Sequence, residues 1–233
     1  AAEHAHYTED LAMWTAAATA CGGPVLDLGS ASGRVALALA RAGVEVWALD
    51  ADAFMLTELA QAAADAGADV AARVRTVPGD MRDFSLTTRF PLVLATMNTL
   101  QVLLDPHDHA ECLRCVRSHL ADGGEFWFDV TLPDIGDVVD QMGLVRAGHE
   151  HVDEATGERW IHSSWYEGYD AATQTASYAL RVDHVAGDGT SRPAVRHHDV
   201  HLFAPAELTH LLARSGLRVL QSWGGFAGEA LED

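Results

Sequence analysis

Between Pro24 and Val130, five short apolar runs alternate with segments of helical period, and this alternation narrows the fold to one architecture. The runs are 25–28, 44–49, 74–77, 92–95 and 125–130, and the helical segments are 34–42, 53–66 and 108–120. Short strands alternating with amphipathic helices call for a parallel sheet covered on both faces. Gly43, Gly67 and the pair Gly123-Gly124 stand where helices commonly stop. The expectation is an α/β domain built on a doubly wound, mostly parallel sheet.

After Pro133 the pattern changes. Aromatic, Thr and Val residues gather in runs at 160–166, 175–182 and 195–203, with turn residues at Asp170-Ala171-Ala172 and Gly187-Asp188-Gly189 between them. This reads as an antiparallel β-meander inserted into the α/β domain, which divides the chain into 1–143 with 204–233 and the insertion 144–203. Pro205 opens a last helix, Gly216 stops it, and 217–223 has the pattern of a strand.

Acidic residues outnumber basic ones 34 to 15, for a formal charge of −19. Such a surface repels phosphate backbones and anionic lipid, so a small molecule is the expected partner rather than nucleic acid or membrane. All 15 basic residues are Arg, and the absence of Lys excludes a lysine Schiff base and a P-loop. Cys21, Cys112 and Cys115 are too few for a disulfide framework and suit a reducing cytoplasm. Cys112 and Cys115 lie in a helical pattern with no second pair, which points to packing rather than zinc. The chain starts at Ala1 without a secretory signal pattern, and no apolar run is long enough to span a bilayer.

The strongest chemical signal is Val25-Leu26-Asp27-Leu28-Gly29-Ser30-Ala31-Ser32-Gly33-Arg34, a strand that runs into a glycine turn and then a helix. Gly29 lets a ligand approach the backbone, and Gly33 lets the helix start without a side chain in the way. The second strand ends at Asp50, placed to accept hydrogen bonds from ribose hydroxyls, and the third is followed by Pro78-Gly79-Asp80-Met81. These loops fall at the carboxyl ends of parallel strands, where such sheets bind ligands.

On these motifs the chain, from about Tyr7 to Trp223 and apart from the insertion, resembles the class I S-adenosylmethionine-dependent methyltransferases. The resemblance implies a Rossmann-like fold, a seven-stranded sheet with its last strand antiparallel, and S-adenosyl-L-methionine as cofactor. It assigns cofactor binding to Asp27, Gly29, Ser30, Gly33, Asp50, Ala51, Gly79, Asp80, Met81 and Met97. Ser30 and Ser32 stand where many members have Cys and Thr. A nicotinamide-dependent oxidoreductase would need G-x-G-x-x-G, and Ala31 occupies the middle glycine position.

The loop Thr96-Met97-Asn98-Thr99-Leu100-Gln101 should face the transferred methyl, where Asn98 and Gln101 orient a polar substrate unless Asn98 only caps the next segment. Relatives that methylate base amines or protein amides carry Pro-Pro and an aromatic here, and this chain does not. The insertion resembles the strands that roof the active site of small-molecule N-methyltransferases. There Trp165, Tyr166 and Tyr169 either enclose a substrate or form the meander's own core. Tyr7 and Trp14, one heptad apart, suggest a lid, and Tyr7 matches an early Tyr that borders the cofactor methyl in the family. His149, His151, His197, His198 and His201 read as surface residues, with His197 a candidate catalytic base and no metal expected. The expected function is methyl transfer to an amine or hydroxyl of a small metabolite. A cyclase releasing methylthioadenosine and a non-catalytic cofactor-binding protein are the alternatives.

Overall fold

The computed structural model describes residues 7–132, 134–153 and 156–231, apart from the side chain of His149. The chain separates into two compact units: Ala1–Leu100 with Asp105–Val130 and Pro205–Asp233, and Gln101–Leu104 with Thr131–Ala204.

The first unit is a five-stranded parallel sheet in the order β3-β2-β1-β4-β5, made of β1 (Val25–Leu28), β2 (Val46–Asp50), β3 (Val74–Pro78), β4 (Phe90–Ala95) and β5 (Leu120–Phe128). Its helices are α1 (Leu11–Cys21), α2 (Arg34–Arg41), α3 (Ala53–Asp65), the short α4 (Ala68–Ala71), α5 (Pro106–His119) and α7 (Pro205–Arg214). Every residue of β1 is buried, so its sequence carries no polar alternation. Trp14, Leu39, Leu59 and Leu94, each 2% exposed or less, anchor the core; full burial of one such side chain is worth about 1.5–3 kcal/mol. Trp14 is therefore a core residue and not part of a lid. The chain order reverses between β1 and β4, which makes the carboxyl end of β1 the switch point where open sheets of this kind bind ligands.

Two expectations for this unit need correction. The Gly123-Gly124 pair does not end α5, because the helix passes directly into β5. The pair lies in the stretch between Leu120 and Glu125, where the register against β4 slips; Gly123 has φ 75°. Nor is 217–223 a strand: Val219 and Leu220 stay 49% and 60% exposed, while Trp223 docks on Trp127 with ring centroids 5.1 Å apart. Five strands of the expected seven are present among the described residues.

The second unit is an antiparallel meander of β6 (Arg146–Val152), β7 (Arg159–Asp170), β8 (Thr175–Val185) and β9 (Ser191–His201), with α6 (Ile135–Asp140). Asp134 caps α6 by accepting from the Gly136 amide at 2.7 Å. Val138 of α6 packs with Ala176 and Leu202, flanked by Tyr166 and Tyr169. Strict alternation would put those two tyrosines on opposite faces; a bulge between Tyr166 and Gly168 brings both to one core.

Candidate active site

Gly29, at φ 65°, closes the turn after β1, and a Cβ there would sit 2.7 Å from Thr99 Cγ2. Gly33, at φ 86°, caps α2, and a Cβ there would fall 2.0 Å from Leu59 Cδ1. Both positions thus demand glycine for conformation and for space. Between them the Ser30 amide donates to the Leu49 carbonyl at 3.1 Å, and the Gly33 amide to the Ser30 carbonyl at 2.9 Å. Asp50, at the end of β2, accepts from the amides of Ala31 at 2.7 Å and Asp52 at 2.8 Å. The acid is thereby tied to the glycine turn with lone pairs to spare. Ala51 beside it is exposed.

Two buried polar atoms along this turn, Asp27 Oδ1 and Ser30 Oγ, have no hydrogen-bond partner. Buried polar groups are rarely left so, and the omission is what a cradle for a polar ligand requires. Burial pushes the Asp27 carboxyl up to about 7, with nearby Arg34 acting against the shift and Asp50 adding to it. The folded protein therefore holds this proton at pH values where the unfolded chain has released it. Stability contributed by Asp27 should fall as pH rises from about 4 to about 7 and level off above, by a total of about 4 kcal/mol. Urea unfolding at a series of pH values checks this: the Asp27→Asn variant is expected to lack that slope, and an identical slope in both proteins would refute it.

Asp80, after β3, accepts from the Arg82 amide at 2.8 Å and pairs with its guanidinium at 2.6 Å, which holds its carboxyl below the usual carboxylate range. Arg82 also reaches Asp108 at 2.7 Å. Gly79 donates to the Asp50 carbonyl at 3.0 Å, which joins this loop to the end of β2, and Met81 is half-buried.

After β4, Met97 and Asn98 take φ 57° and 60°. Adjacent left-handed residues with a Cβ cost about 1–2 kcal/mol each. They are held by Asp129, just past β5, whose Oδ1 and Oδ2 accept from the Met97 amide at 2.7 Å and the Asn98 amide at 3.0 Å. Thr99 is buried and donates to the Thr96 carbonyl at 2.6 Å.

Asp10 stands at the N-cap of α1 but makes no cap bond. Its fully buried carboxylate takes Arg34 in bidentate fashion, at 2.5 and 2.6 Å, and Trp14 Nε1 at 2.8 Å. Arg34, the first residue after the glycine turn, also donates to the Tyr7 carbonyl at 3.0 Å and lies 5.3 Å from that ring's centroid. Tyr7 is so fixed beside the turn. Burial, then the charges of Asp10, Glu9 and Asp129, raise its phenol, so at neutral pH it is a proton donor.

The first unit thus brings together Asp27, Gly29, Ser30, Gly33, Asp50, Gly79, Asp80, Met81, Met97, Asn98 and Tyr7 at the loops following its strands and in the segment before α1. The second unit holds the rest. Gln101 is 2% exposed, and its amide cross-links main chain: Nε2 donates to the His201 carbonyl at 2.8 Å and Oε1 accepts from the Thr131 amide at 2.8 Å. Tyr166 belongs to that unit's core, Trp165 is half-buried, and His197 is an exposed residue paired with Glu167 at 2.8 Å. No group of three His, Cys, Asp or Glu among the described residues could hold a metal ion. Cys112 and Cys115 are buried on α5, and burial pushes the Cys112 thiol up to about 12. No helix among the described residues is long and apolar enough to cross a membrane.

Sequence reasoning missed Arg34, Asp10, Thr99 and Asp129. Asp129 carried a faint signal, an acid inside an apolar run near the carboxyl end of a strand.

A methyltransferase-domain family model matches residues 25–124. A cypemycin N-terminal methyltransferase from Streptomyces sp is 34% identical over 112 residues, 48% of this chain and 43% of that protein, so the match spans less than half of its length. Among solved structures, the CcbJ methyltransferase from Streptomyces caelestis superposes with a TM-score of 0.78 at 25% identity, over 96% of this chain and 90% of that one. The glycopeptide N-methyltransferase MtfA in complex with sinefungin matches with a TM-score of 0.63 at 26% identity, over 98% and 85%. The glycine turn, its two unpartnered polar atoms and the acid tied to it by hydrogen bond fit S-adenosylmethionine as cofactor. In its methyltransferase-domain match and in its fold the chain is similar to the class I S-adenosylmethionine-dependent methyltransferases.

Proposed function

We propose that this chain methylates an amine nitrogen of a small natural product. The observation that carries the reading is the glycine turn, with Asp27 Oδ1 and Ser30 Oγ left without partners and Asp50 bonded to the turn at Ala31. Support for nitrogen as the acceptor comes from the N-terminal and glycopeptide N-methyltransferases it resembles at 34% and 26% identity.

In this reading Gly29, Ser30, Gly33 and Asp27 cradle the methionine part of the cofactor. Asp50 with Ala51 holds the ribose, Gly79, Asp80 and Met81 flank the adenine, and Met97 borders the methyl. When bound, S-adenosylmethionine supplies an electrophilic methyl on a sulfonium. The protein's share is to hold the amine on axis, and such positioning can supply much of the rate. Asn98 and the protonated Tyr7 are assigned to orient the amine. No general base is required, since the ammonium form loses its proton to water and the free amine then reacts through its lone pair.

The test is incubation with S-adenosylmethionine and two acceptors, a peptide with a free N-terminus and an amino sugar. The expected result is a product heavier by one CH2 unit, with stoichiometric S-adenosylhomocysteine. Accumulation of methylthioadenosine, or cofactor binding without transfer to either amine, would overturn the proposal. In the same assay Asp50→Ala should weaken cofactor binding by about 1.5–3 kcal/mol, or about 10- to 150-fold. Unchanged affinity in the folded variant would remove Asp50 from the ribose.

A further inference from the structure

The acid that holds Met97 and Asn98 has no place in the assignments above. Four residues other than glycine have positive φ among the described residues, and two of them are these neighbours. Asn tolerates the left-handed region; Met has no local side-chain bond that favours it. What both share is one carboxylate, each oxygen of which takes one of their amides. The turn therefore depends on a group just past β5, 31 and 32 residues away in sequence. Asp129 is half-buried, and the two amides offset part of what its charge loses in hydration.

We propose that Asp129 is the positioning residue of the methyl-transfer loop, fixing Met97 and Asn98 in their paired left-handed turn through its charged carboxylate. The inference rests on the reading that this loop borders the transferred methyl. A protonated carboxyl would present one oxygen as a donor, and one of the two amides would lose its acceptor. The other charged or titratable groups felt by this site are Asp10 ahead of α1, Arg34 at the start of α2, and the Tyr7 phenol. Asp10 and Arg34 oppose each other in their effect. Burial raises the Asp129 carboxyl against the pull of the two amides, so release of the turn falls at a pH above that of an ordinary aspartate.

Amide NMR of the cofactor-free protein between pH 4 and 8, with S-adenosylmethionine titrations, tests this in the wild type and in Asp129→Asn. The isosteric amide keeps the fold but offers one acceptor in place of two. In the wild type the Met97 and Asn98 amide signals should move together with one midpoint. In Asp129→Asn that midpoint should vanish, one of the two amides should exchange faster, and affinity for S-adenosylmethionine should drop about tenfold. A wild type that binds while Asp129→Asn keeps both the midpoint and the affinity would overturn this inference alone. A wild type that fails to bind S-adenosylmethionine would overturn the site reading and this inference with it.

Discussion

Replacing Arg34 with alanine is expected to lower the unfolding free energy by about 3–5 kcal/mol, as loss of one partner of a buried ion pair does. Asp10 is 0% exposed and has three charged or polar donors, two of them from Arg34. Without the guanidinium its carboxylate must either remain charged in the core or take up a proton. The same change releases the Tyr7 carbonyl and ring, so cofactor affinity should fall along with stability. Arg34→Lys should recover only part of the loss, since an ammonium cannot form the bidentate pair. Because the penalty comes from the stranded charge, the double variant Asp10→Leu with Arg34→Met should cost less than the sum of its single changes. Urea unfolding of the wild type, Arg34→Ala, Arg34→Lys, the two single changes and the double variant measures this. Strict additivity, or a loss below about 1 kcal/mol for Arg34→Ala, would show that the pair acts as an exposed one does.

The second large effect is expected from Gly33→Ala. The new methyl would need φ 86° and would meet Leu59 Cδ1 at 2.0 Å, in a side chain that is itself 0% exposed. Left-handed strain and overpacking together are worth about 2–4 kcal/mol. The helix start must also shift, and it carries the turn proposed to cradle the cofactor. Gly43→Ala is the control: its φ is 92°, but nothing lies within 4 Å of the added carbon. It should cost only the strain, about 1–2 kcal/mol, and leave cofactor binding intact. Equal unfolding midpoints for the two variants would contradict this account of Gly33.

The parts of the molecule legible in its sequence are those where local pattern and burial agree. The strand Val25–Leu28 is apolar but for Asp27 because both faces are covered, and the glycines after it are forced by geometry that no other residue meets. The place of Asp50 was legible because it closes the second apolar run. Other features depend on partners far away in the chain. Asp10 and Arg34 are 24 residues apart, and an Asp before a helix reads as a cap. Asp129 hid inside an apolar run. β6 is largely polar and has no alternation to betray it, whereas 217–223 has strand-like composition but no strand partner among the described residues. Tyr166 and Tyr169 share a core only because of a bulge, which side-chain periodicity cannot foresee. Gln101 looked available to a substrate because its main-chain partner His201 lies 100 residues away.

Calorimetric titration of the wild-type protein with S-adenosylhomocysteine tests the central claim most directly. Micromolar or tighter binding at one site per chain, weakened in Asp50→Ala and lost in Gly33→Ala, is the result predicted. No heat of binding from a folded wild-type protein would contradict the cofactor site and the methyltransferase function built on it.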